Sequence, residues 1–217
     1  MFERIKETLE AYKKRDPAAR SSFEVLFLYQ GVHATIDHWI SHWFYKHNMK
    51  FIARCVSQWS RFWTGIEIHP GATIGRRLVI DHGMGIVIGE TAELGDDVLL
   101  YQGVTLGGTG KDHGKRHPTL GNNVMVGCGA KILGPFTVGD NARIAANAVV
   151  LKEIPADSTA VGVPARVVRM GGEKVDYTSN VDQVSITDPV AVELSALRTQ
   201  MELLEQYVKE NVKNEAV

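Results

Sequence analysis

A chain of 217 residues with 44% hydrophobic and 23% charged residues has the make-up of an ordinary folded protein, long enough for one core with appendages. Lys and Arg total 24 against 25 Asp and Glu, so there is no net basic field to hold nucleic acid or an anionic membrane. Two cysteines, Cys55 and Cys128, can build neither a disulfide framework nor a zinc-type pair.

The N-terminal stretch MFERIKETLEAYKKRDP is charged throughout and lacks the apolar stretch of a secretory signal. The longest apolar segment, Val25 to Tyr45, is broken by Gln30, His33, Asp37, His38 and His42, which makes it too polar to cross a bilayer. A cytoplasmic location is expected. Residues 1–64 read as a helical domain. Asp16-Pro17 suits the N-cap and first position of a helix, with Phe23, Leu26, Phe27 and Gln30 following at helical spacing. A second stripe, Ile36, Ile40, Trp43, Phe44, Phe51, Ile52, Val56 and Trp59, predicts further helices that pack on the next domain or on another subunit. His38 and His42, four apart, could share a helix face with a metal, but no third ligand is in view, and packed or exposed imidazoles are the simpler expectation.

From 65 to 170 the pattern changes. Aliphatic residues recur every six positions: Ile68, Ile74 and Ile80; Ile88, Leu94, Leu100 and Leu106; Leu120, Val126, Ile132, Val138, Ile144 and Val150. A small or apolar residue follows four later, as at Ala72, Ala92, Val104, Ala130, Ala142 and Ala148. Period six fits neither an amphipathic helix nor an alternating strand. It fits a triangular coil in which each hexad makes one side, the anchors point inward and three hexads close a turn of eighteen. No coil buries its own anchors, so about five must stack. Such hexapeptide sequences resemble the left-handed parallel β-helix family, so the expected fold is an all-β left-handed parallel β-helix with an N-terminal α-helical segment and a C-terminal helix. Two phase breaks interrupt it. Two extra residues lie between Ile80 and Ile88, and eight between Leu106 and Leu120, where GGTGKDHGKRHPT leaves the prism as a loop. Insertions in a solenoid often carry its function.

Beyond Gly171-Gly172 the chain turns polar and reads as a linker, followed by a last helix from Asp188-Pro189. There Leu194, Leu197, Met201, Leu204 and Val208 form a short coiled-coil seam. Residues 171–217 therefore make a linker and helical tail.

Both insertions hold histidines. Asp81-His82 sits at the first and Arg116-His117 ends the second. Glu67, fifteen residues before His82, lies about one side round the triangle, near a shared edge, where a carboxylate can orient an imidazole. Arg116 can grip a carboxylate bidentately. Brought together at a seam joining neighbouring protomers, these groups suit a zwitterionic amino acid: Arg116 for its carboxylate, Asp81 or Asp16 for its ammonium, and His82 as base.

The segments DHGMGIVIGETA (81–92), VTLGGTGK (104–111), RHPTLG (116–121) and GVPAR (162–166) resemble the serine O-acetyltransferases over about residues 16–170. The resemblance implies acetyl transfer from acetyl-CoA to the hydroxyl of L-serine in cysteine biosynthesis, with His82 as general base and Glu67 as its partner. It assigns Asp16, Asp81, Arg116 and His117 to serine. It places Gly108, Thr109, Cys128 and Ala146 along acetyl-CoA in a groove between two prisms, with Arg166 near the phosphates, and it implies no metal. The chain departs from the family's longer members in three ways. Glu67 stands where they carry Asp, the helical segment is shorter, and the tail ends NEAV rather than in Ile. A homotrimer is expected rather than a hexamer, and docking of the tail on cysteine synthase is left open. The competing readings are acetyl transfer to another small hydroxyl or amine, a γ-type carbonic anhydrase with zinc on His82, His113 and His117, and a non-catalytic scaffold for cysteine synthase.

Overall fold

The structure, a computed structural model, describes residues 2–110, 113–175, 197–201 and 204. Met1–Val175 form one compact unit. In the segment beyond it, Leu197–Met201 and Leu204 are helical; the rest of the expected seam, including Leu194 and Val208, lies outside the described residues.

The hexads fold into three flat faces. The first face is β1 (Glu67–Ile68), β4 (Val87–Ile88), β7 (Thr105–Gly107), β10 (Lys131–Leu133) and β13 (Val149–Val150). The second is β2 (Thr73–Ile74), β5 (Glu93–Leu94), β8 (Thr119–Leu120) and β11 (Thr137–Val138). The third is β3 (Val79–Asp81), β6 (Leu99–Tyr101), β9 (Met125–Val126), β12 (Arg143–Ile144) and β14 (Ser158–Val161), extended by β15 (Arg166–Met170) and β16 (Glu173–Lys174). All pairs from β1 to β14 are parallel. All thirteen six-residue anchors are buried and form one continuous core with Ala72, Ala92, Val104, Ala130, Ala142 and Ala148. The register reports the phase breaks directly. Val87 pairs with Thr105, eighteen on, but Glu67 pairs with Val87, twenty on, and Thr105 with Lys131, twenty-six on.

The corner between the second and third faces is turned by left-handed residues, Arg77, Asp97, Asn123, Asn141 and Asp157, all with φ between 54° and 59°. Asn and Asp tolerate this conformation better than most side chains. They also ladder along the corner, Asn123 to Asn141 at 2.9 Å and Asn141 to Asp157 at 2.8 Å.

A solenoid must cover its ends, because the terminal coil exposes unpaired backbone and apolar anchors. Here α3 (Gln30–Lys46) and α4 (Lys50–Thr64) cover the first coil. Ala34 enters the solenoid core, and Gly31 lies so close to the Ile80 carbonyl that any side chain would collide with it. Ser57 donates to the Ile68 carbonyl at 2.8 Å. Tyr12, on α1 (Phe2–Arg15), donates its hydroxyl hydrogen to the Ile80 carbonyl and accepts from the Ile80 N–H, supplying both bonds that a preceding coil would have made. The far end is covered by the antiparallel hairpin β15–β16, whose turn is Gly171-Gly172.

Three expectations change. Asp16-Pro17 does not open a helix: α1 ends at Arg15, Asp16 accepts from the Ala18 N–H in a turn, and α2 (Ser22–Leu28) is capped by Ser21. Gly171-Gly172 is a hairpin turn rather than the start of a linker. Of the two seatings expected for the aromatic stripe, on the next domain or on another subunit, the first is not taken by most of it, because the helices bury their small and polar faces there instead. Those are Gly31, Ala34, Thr35, His38 and Ser41 on α3, and Ala53, Ser57 and Ser60 on α4. Trp43, Phe51, Ile52 and Trp59 remain exposed.

Candidate active site

The two insertions leave the prism at different corners. The first follows β3 and precedes β4, between the third and first faces; the second joins β7 to β8, between the first and second faces. In a single chain the whole first face separates them. Asp81, His82, Arg116 and His117, expected to meet at a seam between neighbouring copies, do not meet within one copy, and each corner holds half of the groups.

At the first corner His82 adopts φ 60°, followed by left-handed Gly83 and Gly85, and its side chain is 75% exposed. The three left-handed residues turn the chain out of the strand plane, and the glycines make the excursion inexpensive. The Asp81 carboxylate is 3.8 Å from His82 Nε2. Asp16 belongs to the same half. Its Oδ2 accepts from the Tyr29 hydroxyl at 2.7 Å; this bond first, then burial and the charges of Asp16, Glu24 and Asp81, push the Tyr29 pKa up to about 12. Glu67, on β1 of the first face, is ion-paired with Arg61 Nη1 at 3.2 Å.

At the second corner the groups are clamped. Thr91 Oγ accepts from the backbone N–H of Arg116 (3.0 Å) and of His117 (3.1 Å). The Thr91 N–H donates to His117 Nδ1 at 3.2 Å, with the hydroxyl 2.9 Å from the same nitrogen. A backbone N–H can only donate, so Nδ1 carries the lone pair and Nε2 the hydrogen. The ring is buried and fits over Gly89, where any Cβ would overlap it. Burial first, and then the neighbouring Arg116, lower its pKa. His117 is thus a neutral imidazole presenting Nε2–H. Arg116 Nη2 donates to Glu90 Oε2 at 2.5 Å, while Tyr45 donates to Oε1 at 3.0 Å. The Glu90 carboxyl is held below the usual range by its bond to Arg116 and then by Tyr45. Each of the two residues offers an N–H donor at this corner, one of them cationic, and such donors suit a carboxylate. They do not suit zinc, because neither nitrogen of His117 offers a free lone pair. Among the described residues no group of three or more metal-binding side chains occurs.

The residues assigned to acetyl-CoA divide between the same corners. Gly108 abuts the Arg116 carbonyl and the His117 ring, and Thr109 lies by Gly134, on the second corner. Cys128 and Ala146 stack on the first corner above His82. Its successive coils are tied by Gly103 N–H to Met84 O, Gly129 N–H to Gln102 O and Asn147 N–H to Cys128 O. Arg166 opens β15 just beyond this corner.

His38 and His42 prove to be packed rather than ligating. His42 Nδ1 donates to the Pro70 carbonyl at 2.7 Å, and His38 is almost wholly buried.

A family model described as bacterial transferase hexapeptide (six repeats) matches residues 117–152. The serine acetyltransferase of Bacillus pumilus is 52% identical over 203 residues, 94% of this chain and 93% of its own length. The chain belongs to the serine acetyltransferase family. Among solved structures, the Neisseria gonorrhoeae serine acetyltransferase in complex with serine superposes with a TM-score of 0.75 at 40% identity, over 77% of this chain and 68% of its own. The Brucella abortus serine acetyltransferase in complex with coenzyme A gives 0.74 at 42% identity, over 76% and 66%. Within this serine acetyltransferase chain, sequence reasoning missed Tyr29, Tyr45, Glu90 and Thr91. For Glu90 a signal was available: it precedes Arg116 by twenty-six residues, the length of the lengthened coil, and so shares its corner.

Proposed function

We propose that the protein transfers the acetyl group of acetyl-CoA to the hydroxyl of L-serine, giving O-acetylserine and CoA, with each site assembled from the first corner of one copy and the second corner of another. The observation that carries the reading is the held Arg116–His117 pair, whose backbone N–H groups both bond Thr91 and whose guanidinium bonds Glu90, an arrangement that suits a carboxylate ligand. Family membership at about half identity over nearly the whole chain supports the same substrates.

The serine carboxylate lies against Arg116 and His117 Nε2–H, and the ammonium between Asp16 and Asp81. The hydroxyl faces His82, which accepts its proton as the oxygen attacks the thioester carbonyl. The tetrahedral intermediate then expels the CoA sulfur, which takes that proton back from His82. General-base help of this kind contributes about 10²–10⁴ in rate, and holding two substrates in one groove contributes further. Gly108 and Thr109 would flank the acyl-CoA from one copy, with Cys128, Ala146 and Arg166 from the other. Because the two halves lie on either side of the first face, three copies arranged around that face complete three sites, which favours a homotrimer in the cytoplasm. No described helix is long and apolar enough to cross a membrane.

The test is thiol release from acetyl-CoA across a panel of acceptors, with L-serine compared against L-threonine, L-homoserine, serinamide and small amines. Preference for L-serine is expected, with loss of rate on serinamide, which lacks the carboxylate. Equal rates for acceptors without a carboxylate would overturn the reading.

A further inference from the structure

One set of hydrogen bonds leads from the helical cap into the second corner. The geometry points to Glu90 and Tyr45 as positioning residues for Arg116, fixing the guanidinium in the orientation that receives the serine carboxylate; this rests on the reading of Arg116 given above. Arg116 lies three residues before β8, outside regular structure, and a long side chain at such a place otherwise samples many rotamers that binding would have to freeze. Here Nη2 is tied to Glu90 Oε2 at 2.5 Å. The second carboxylate oxygen is held by the Tyr45 hydroxyl at 3.0 Å, so Glu90 cannot rotate away. Tyr45 is itself fixed in α3, its ring edge-on to His69 with centroids 6.0 Å apart and the Lys50 ammonium 5.6 Å from its centroid. The Arg116 side chain keeps about a third of its surface open, which leaves N–H groups for a ligand. Both oxygens of Glu90 are engaged, and its lowered pKa keeps it an anion at neutral pH.

Glu90 could act in the opposite sense, since a carboxylate beside Arg116 also weakens its attraction for a second carboxylate. The two effects predict changes of opposite sign, so kinetics on the full-length protein decide between them. If positioning dominates, Glu90→Gln raises the KM for serine about tenfold, the usual worth of a charge-assisted hydrogen bond, while kcat and the KM for acetyl-CoA change little. Tyr45→Phe, which removes one oxygen and endangers folding less, raises the serine KM about two- to fivefold. In an Arg116→Ala background both substitutions have no further effect on serine KM, because they act only through the guanidinium. An unchanged or lowered serine KM in Glu90→Gln, or an equal effect with and without Arg116, overturns the proposal. Should Arg116→Ala itself leave the serine KM unaltered, the carboxylate reading of Arg116 fails and the positioning role fails with it. A large effect of Arg116→Ala beside a silent Glu90→Gln removes the positioning role alone.

Discussion

The two corners of the prism solve opposite problems. At the second, Arg116 and His117 are tied by backbone, hydroxyl and carboxylate bonds into one geometry, and His117 is buried. At the first, His82 stands largely in solvent on a left-handed turn, with Asp81 3.8 Å away as its nearest charged partner. A group that recognises a fixed feature of its ligand gains from being locked in advance, because affinity is not spent on ordering it. A base that takes a proton and returns it must be reachable by both substrates, and in a single copy it has little to hold it. On the function proposed above, the recognition half is built within each chain, whereas the catalytic half is finished by a neighbour.

The sharpest way to break the comparison is His82→Ala. Turnover is expected to fall by about 10²–10⁴, with the circular dichroism spectrum and acetyl-CoA binding retained. Near-normal kcat would show that the exposed corner does no chemistry. The next effect concerns the buried imidazoles. His38, in the cap beneath the prism, has its pKa lowered to about 3 by burial, and His117 is lowered as well. Both take up protons more readily in the unfolded chain, where the pKa is near 6.5. The stability that they supply is therefore complete above that value and is lost as pH falls toward their folded values. Denaturant midpoints at pH 7 and 5.5 should show a loss of about 1–2 kcal/mol. A flat profile would mean that these rings are hydrated or already charged.

The fold was legible because a period of six is a physical statement. Ile68 through Val150 had to face one interior, and the extra two and eight residues had to appear as register offsets, as Glu67 opposite Val87 and Thr105 opposite Lys131 do. That both insertions leave the prism at its corners followed from the same arithmetic. Less was legible about what joins them. Counting along the chain puts His82 and Arg116 near each other in height but says nothing of which corner each occupies, unless the sides are numbered through both insertions. The helical segment was harder still. Its apolar stripe reads as a buried face, yet helices seated on the end of a solenoid must approach backbone closely, and small residues such as Gly31, Ala34 and Ser57 serve that better than Trp43 or Trp59. Asp16 reads as a helix cap, yet its carboxylate meets Tyr29 and the Ala18 N–H in a turn instead.

Two smaller perturbations sharpen the contrast between corners. Thr91→Val preserves shape but removes the oxygen that accepts from Arg116 and His117, leaving two backbone N–H groups with no partner. The serine KM is expected to rise about fivefold or more, with the acetyl-CoA KM nearly constant; an equal rise in both would place the defect in the loop as a whole. Cys128→Ala carries the smallest expected effect. Cys128 stacks on the His82 corner, and a thiol close to a thioester invites the idea of an acetylated cysteine intermediate. A nucleophilic thiol needs a base or a cation to hold it as thiolate, and among the described residues no such side chain is hydrogen-bonded or ion-paired to Cys128. Direct attack by serine requires of position 128 only a small side chain beside the CoA arm. Alanine then costs no more than the contact of one sulfur atom, roughly 1 kcal/mol or about a fivefold rise in acetyl-CoA KM. A variant that stays folded but loses turnover by orders of magnitude would instead require the acetyl group to pass through that sulfur, and would move the chemistry from the imidazole to the thiol of the same corner.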